Sequence, residues 1–104
     1  MDSGEVVSVA EFKTSPRLRR KAGLKRIATL LEELRALSEL REGRPGTFRL
    51  GSLPFLHFHY HPDGKIVADV RLSDGGFTHF DVSEEDEQPE LISAVLRCLG
   101  EPDG

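Results

Sequence analysis

The chain has 104 residues, 38% hydrophobic and 31% charged, with a formal net charge of −4, which describes one soluble globular domain able to bury a core without metal or disulfide staples. No apolar run approaches the roughly 18 residues of a membrane span, and Met1-Asp2-Ser3-Gly4-Glu5 has neither the basic start nor the apolar stretch of a secretory signal. The single cysteine, Cys98, excludes an internal disulfide, so the expected setting is a reducing cytoplasm.

Residues 1–14 read as a tail or an extra edge strand, because "EVVSVAEF" over 5–12 is short and rich in valine. Ser15-Pro16 supplies a capping hydroxyl and a proline at the first helical position. Leu24, Ile27, Leu31, Leu34 and Leu37 then recur at three and four, so a helix is expected over 15–42, stopped by Gly43 and Pro45. Gly23 marks a place where its basic first turns could separate. Residues 47–82 read as a four-stranded antiparallel meander.

The turns of that meander set its register. Pro62-Asp63-Gly64 suits a three-residue hairpin loop, which pairs Tyr60 with Ile66, Phe58 with Ala68 and Leu56 with Val70, apolar against apolar. The alternate pairs are His59 with Val67, His57 with Asp69 and Phe55 with Arg71. A three-residue loop at Asp74-Gly75-Gly76 would set Arg71 against His79 and Asp69 against Asp81. Another at Gly51-Ser52-Leu53 would set Phe48 against Leu56 and Arg49 against Phe55. Residues 83–104 read as an acidic turn, a helix begun at Pro89 with Leu91, Ile92, Val95, Leu96 and Leu99 as its stripe, and a tail after Gly100. The expected fold is therefore a two-layer α+β domain over residues 1–104, with a long N-terminal helix and a short C-terminal helix on one face of a four-stranded antiparallel sheet.

Function is expected on the other face. "HFHYH" places His57 and His59 on one side of a strand with Asp69 opposite, a plausible three-ligand set for zinc or another divalent transition metal. His79 and Asp81 stand nearby as supporting groups. Alternating polar residues are also what a half-solvated strand carries for no special reason. Phe55, Val67 and Phe77 bring apolar side chains to the same face among His57, His59, Arg71 and His79, a mixture that resembles an interface.

The leading expectation is therefore a protein-binding or self-associating surface, such as a homodimer contact, without catalysis or a cofactor. Metal binding, or a small metalloenzyme built on it, is the alternative. A second alternative is RNA or phosphate binding by Arg17, Arg19, Arg20, Lys21, Lys25 and Arg26. The charge is divided in a way that permits it: residues 1–50 carry 11 Lys/Arg and 7 Asp/Glu, and residues 51–104 carry 3 and 11. Against it, no aromatic residue is interleaved in the basic stretch to stack on bases, so nucleic acid is the less expected partner. No nucleophile elbow, phosphate-binding glycine loop, dinucleotide fingerprint or HExxH motif is present. Cys98 falls beside apolar helix positions and reads as a structural thiol.

Overall fold

The computed structural model describes residues 15–73 and 76–100. Three α-helices, α1 (Pro16–Arg26), α2 (Ala28–Arg35) and α3 (Gln88–Cys98), cover an antiparallel sheet. The sheet has five strands in sequence order: β1 (Leu40–Glu42), β2 (Phe48–Leu50), β3 (Leu53–Tyr60), β4 (Ile66–Ser73) and β5 (Gly76–Asp81). The expected edge strand at residues 5–12 lies outside the described residues.

The helix expected over 15–42 is two helices and a strand. Ser15 accepts the Leu18 N–H at 3.3 Å and Pro16 starts α1, as the sequence indicates. The break falls at Ile27, whose φ of −107° and ψ of 26° interrupt the helical backbone while its side chain stays fully buried. Gly23 does not part the helix. It lies buried within α1, and a Cβ built there would stand 2.2 Å from Tyr60 Cδ1. The glycine lets the helix backbone lie directly on the Tyr60 ring. Gly23→Ala gains helix propensity, worth about 1 kcal/mol, but must displace a ring wedged between helix and sheet. The expected net result is a loss of about 1–3 kcal/mol in urea unfolding, as for other overpacked sites.

Past Arg35 the leucine spacing is ambiguous. Leu40 continues the helical repeat, yet it also satisfies an inward strand position, and the strand is what forms. Arg44-Pro45-Gly46-Thr47 is a type II turn, with Thr47 N–H donating to the Arg44 carbonyl at 2.9 Å and Gly46 at φ 80°. It folds β1 back onto β2, pairing Leu40 with Leu50 and Glu42 with Phe48. Pro45 and Gly46 thus make a hairpin instead of ending a helix. Glu42 takes both Arg35 Nε and Nη2 at 2.5 and 2.8 Å, and accepts the Gly46 N–H at 2.8 Å. The Arg35 guanidinium, with help from that N–H, holds the Glu42 carboxyl below its ordinary range despite partial burial.

The hairpin at Pro62-Asp63-Gly64 forms as read, with His61 N–H donating to the Lys65 carbonyl and Gly64 at φ 93°. All five β3–β4 pairs, from Leu56 with Val70 to Tyr60 with Ile66, match the sequence register. Two other registers differ. Gly51-Ser52 makes a two-residue turn, so Leu50 pairs with Leu53 and Arg49 with Pro54. Phe48 still meets Leu56, which leaves Phe55 as the extra residue of a β-bulge. On the other side of β4, Asp69 pairs with His79, Ala68 with Phe80 and Val67 with Asp81, two residues away from the expected register. A second bulge between Val70 and Ser73 accommodates the shift.

The core lies between helices and sheet. Ile27, Leu30, Leu34, Leu91 and Val95 pack on Phe48, Leu56, Ile66, Val70 and Val82, all at most 1% exposed. The acidic turn becomes a short 3₁₀ segment, Glu85–Glu87, closed by a capping box between Glu84 and Glu87. Ser83 Oγ accepts the Ile66 N–H at 2.8 Å, and buried Gln88 Nε2 donates to the Val82 carbonyl at 3.1 Å. These bonds seat α3 beside α2, on the same side of the sheet. Among the described residues, no helix is long and apolar enough to cross a membrane.

Candidate functional site

The face away from the helices carries a carboxylate ringed by three imidazoles. His57 on β3, Asp69 on β4 and His79 on β5 form one row across three strands, and His59 lies two residues along β3 on the same side. Opposed and diagonal side chains on one sheet face approach within contact distance, so the row converges. His59 Nε2 is 2.7 Å from Asp69 Oδ2 and His57 Nε2 is 3.4 Å from the same oxygen. His79 Nδ1 hydrogen-bonds Asp69 Oδ1. Asp69 is 6% exposed although it sits on an open sheet face, because the imidazoles roof it.

Burial alone would raise the Asp69 carboxyl. The hydrogen bonds from His79 and His59 outweigh it and hold the group below the ordinary carboxylate range. The carboxylate is therefore ionised, with its two oxygens in different roles. Oδ2 faces His57 and His59, and Oδ1 is occupied by His79.

The cluster is braced from one side. The His57 ring meets His59 edge-on at 4.9 Å between centroids and meets Phe77 edge-on at 5.3 Å. The Arg71 guanidinium lies 4.8 Å over the Phe77 ring. Arg71 Nε is buried with no hydrogen-bond partner among the described residues.

One donor atom each from His57, His59 and Asp69 lies within 4.8 Å of the other two. A tetrahedral ion with bonds of about 2.1 Å holds its ligands about 3.4 Å apart, so small side-chain rotations bring the set to ligating distance. These are the three residues expected from the sequence. His79 comes closer to the centre than its expected position opposite Arg71 would allow. Asp81 moves away: it pairs with Val67, and its carboxylate is 3.5 Å from Lys65 Nζ.

The expected protein interface loses its largest member. Phe55 is 2% exposed and belongs to the core, because the bulge turns it inward. Val67 and Phe77 remain on the open face, each half-buried. The expected phosphate cluster is also redistributed. Arg19 Nε donates to the Tyr60 carbonyl at 3.1 Å. Arg26 donates to the Gly64 and Ser83 carbonyls at 2.6 and 2.9 Å, tying α1 to the sheet's hairpin end. Lys21 and Lys25 are exposed. Arg17 and Arg20 border a groove shared with Arg44, Phe58, His59 and Tyr60. Arg44 is a member with no signal in the local pattern, since it belongs to a hairpin hidden in the leucine repeat. Cys98 is exposed, with Sγ 3.7 Å from the Leu72 carbonyl.

Comparisons with protein-family models, with curated proteins and with solved structures found no match to this chain.

Proposed function

We propose that this protein binds a divalent transition metal through His57 Nε2, His59 Nε2 and Asp69 Oδ2. The convergence of those three donor atoms on a buried, ionised carboxylate carries the reading. Two imidazoles and one carboxylate suit zinc and its neighbours better than calcium or magnesium, which prefer oxygen. Three protein ligands leave a coordination position open, the arrangement of sites that present the ion to water or substrate. His79 orients the carboxylate from its far oxygen, and Phe77 holds the His57 ring.

The test uses untagged, chelator-treated protein and thermal melting with added Zn²⁺. At a hundredfold excess over Kd the ion stabilises the fold by about 2.7 kcal/mol, a rise on the order of 10 °C for a chain of this size. The shift is expected in the wild type and absent in His57→Ala/His59→Ala. A wild type that melts at the same temperature with and without Zn²⁺, Co²⁺ and Ni²⁺ would sink the proposal.

A second reading, docking of a protein partner or a second copy on the same face, draws on the Arg71–Phe77 pair and Val67. Arginine and aromatic side chains are enriched at the centres of such surfaces. Sedimentation of the metal-free protein checks it: a dimer that Phe77→Asp returns to monomer favours this reading.

A further inference from the structure

The groove beside α1 gathers three guanidinium groups in an acidic protein. Arg17 and Arg20 come from the first turns of α1, and Arg44 comes from the β1–β2 turn. With Pro16, Phe58, His59 and Tyr60 they border an open groove of about 480 Å³, and among the described residues no acidic side chain lines it. That volume lies within the range of small-ligand sites, about 300–1,000 Å³.

Four cations elsewhere in the described residues have partners. Arg35 is held by Glu42, Lys65 by Asp81, Arg26 by two carbonyls, and Arg71 lies over Phe77. Among the described residues no carboxylate lies within ion-pair distance of Arg17, Arg20 or Arg44. Three guanidinium groups facing one groove repel each other until an anion enters. Guanidinium forks match the oxygens of a phosphate, and three of them from two separate elements define a position for it.

The walls add a second kind of group. The basic stretch has no aromatic residue in sequence, but the fold lays β3 against it, so Phe58, His59 and Tyr60 stand beside the arginines. Burial raises the Tyr60 hydroxyl to about 12 although Arg20 opposes the shift, so that group remains a hydrogen-bond donor.

We propose that the groove of Arg17, Arg20, Arg44 and Tyr60 binds the phosphate of a nucleotide, free or within a single strand. The groove shares His59 with the proposed metal site but takes its phosphate contacts from other residues, and it is tested without metal.

The experiment is amide NMR titration of chelator-treated protein with adenosine monophosphate, with adenosine, and with an eight-residue oligouridylate. The spectrum also reports whether each variant is folded. Shifts are expected to centre on residues 16–20, 44–46 and 58–60 with the monophosphate, and adenosine is expected to bind at least about tenfold more weakly, as loss of a charge-assisted phosphate contact implies. Arg17→Glu/Arg44→Glu alters two exposed side chains and is expected to weaken the monophosphate about tenfold or more, whereas Lys25→Glu, outside the groove, leaves it unchanged. A strand as the natural source is indicated if the oligonucleotide binds far more tightly than the monophosphate, and a free nucleotide if the two are equal. Equal binding of adenosine and the monophosphate, equal weakening by Lys25→Glu, or no binding of either phosphate probe overturns the proposal.

Discussion

Phe55→Ala is expected to destabilise the protein by about 3–5 kcal/mol, the range for emptying a fully buried aromatic position. Strict alternation along β3 puts Phe55 on the open face beside His57, where truncation would cost little. The bulge opposite Phe48 and Arg49 turns it into the core instead, at 2% exposure. Phe77→Ala provides the contrast. Phe77 is half-buried on the open face and contributes chiefly its contacts with Arg71 and His57, worth about 1 kcal/mol. Urea unfolding of both variants at matched m-values separates the two positions. Equal losses would place Phe55 outside the core and remove the bulge from the account. Because domains of this size have about 5–15 kcal/mol of total stability, Phe55→Ala also approaches the limit of what the fold tolerates.

Asp69→Asn is expected to abolish the zinc-induced rise in melting temperature and to flatten the acid limb of the stability profile. The first effect follows from ligand chemistry. A neutral amide binds the ion poorly, so the loss should exceed the roughly 10–100-fold that an outer-shell partner contributes, which is the range expected for His79→Ala. The second follows from linkage in the metal-free protein. His79 and His59 hold the Asp69 carboxyl below its unfolded value of about 3.9. A depressed carboxylate adds stability above that unfolded value and gives it up as pH falls through the folded one. The wild type should therefore lose this contribution below about pH 4, and the asparagine variant should not. At pH 7 the variant is expected to be less stable by about 1–2 kcal/mol, modest because His59 and His79 are largely exposed. Asp81→Asn, whose carboxylate pairs with Lys65 at the surface, is the control and should change neither readout. An asparagine variant that keeps the full zinc shift would exclude Asp69 as a ligand.

Much of the fold could be read directly because local signals agree with one another. Ser15-Pro16 caps a helix, Pro62-Asp63-Gly64 admits only a short hairpin, and that hairpin sets apolar residues opposite each other along β3 and β4. Three of the candidate ligands follow from it, since His57 and His59 share a side by the two-residue period and the register places Asp69 across from His57. The class of the domain and the side on which its helices lie follow from the same patterns.

Long-range packing resolves what local pattern leaves degenerate. Leu40 fits a helical repeat and a strand equally well, and only the pairing of β1 with β2 resolves it. A register can slip by two residues without moving any side chain to the other face, so hydrophobic alternation could not distinguish Asp69 opposite His79 from Asp69 opposite Asp81. That slip of two gathers the third imidazole onto the carboxylate and sends Asp81 to Lys65. The bulge that buries Phe55 is one extra residue, invisible to a two-residue period. The groove of Arg17, Arg20 and Arg44 joins positions separated by more than 20 residues. Local pattern carries most of the elements and the chemistry available on each. Packing against the sheet decided which of those groups meet, because register, bulges and helix breaks are selected by the burial of the whole core and by no short stretch within it.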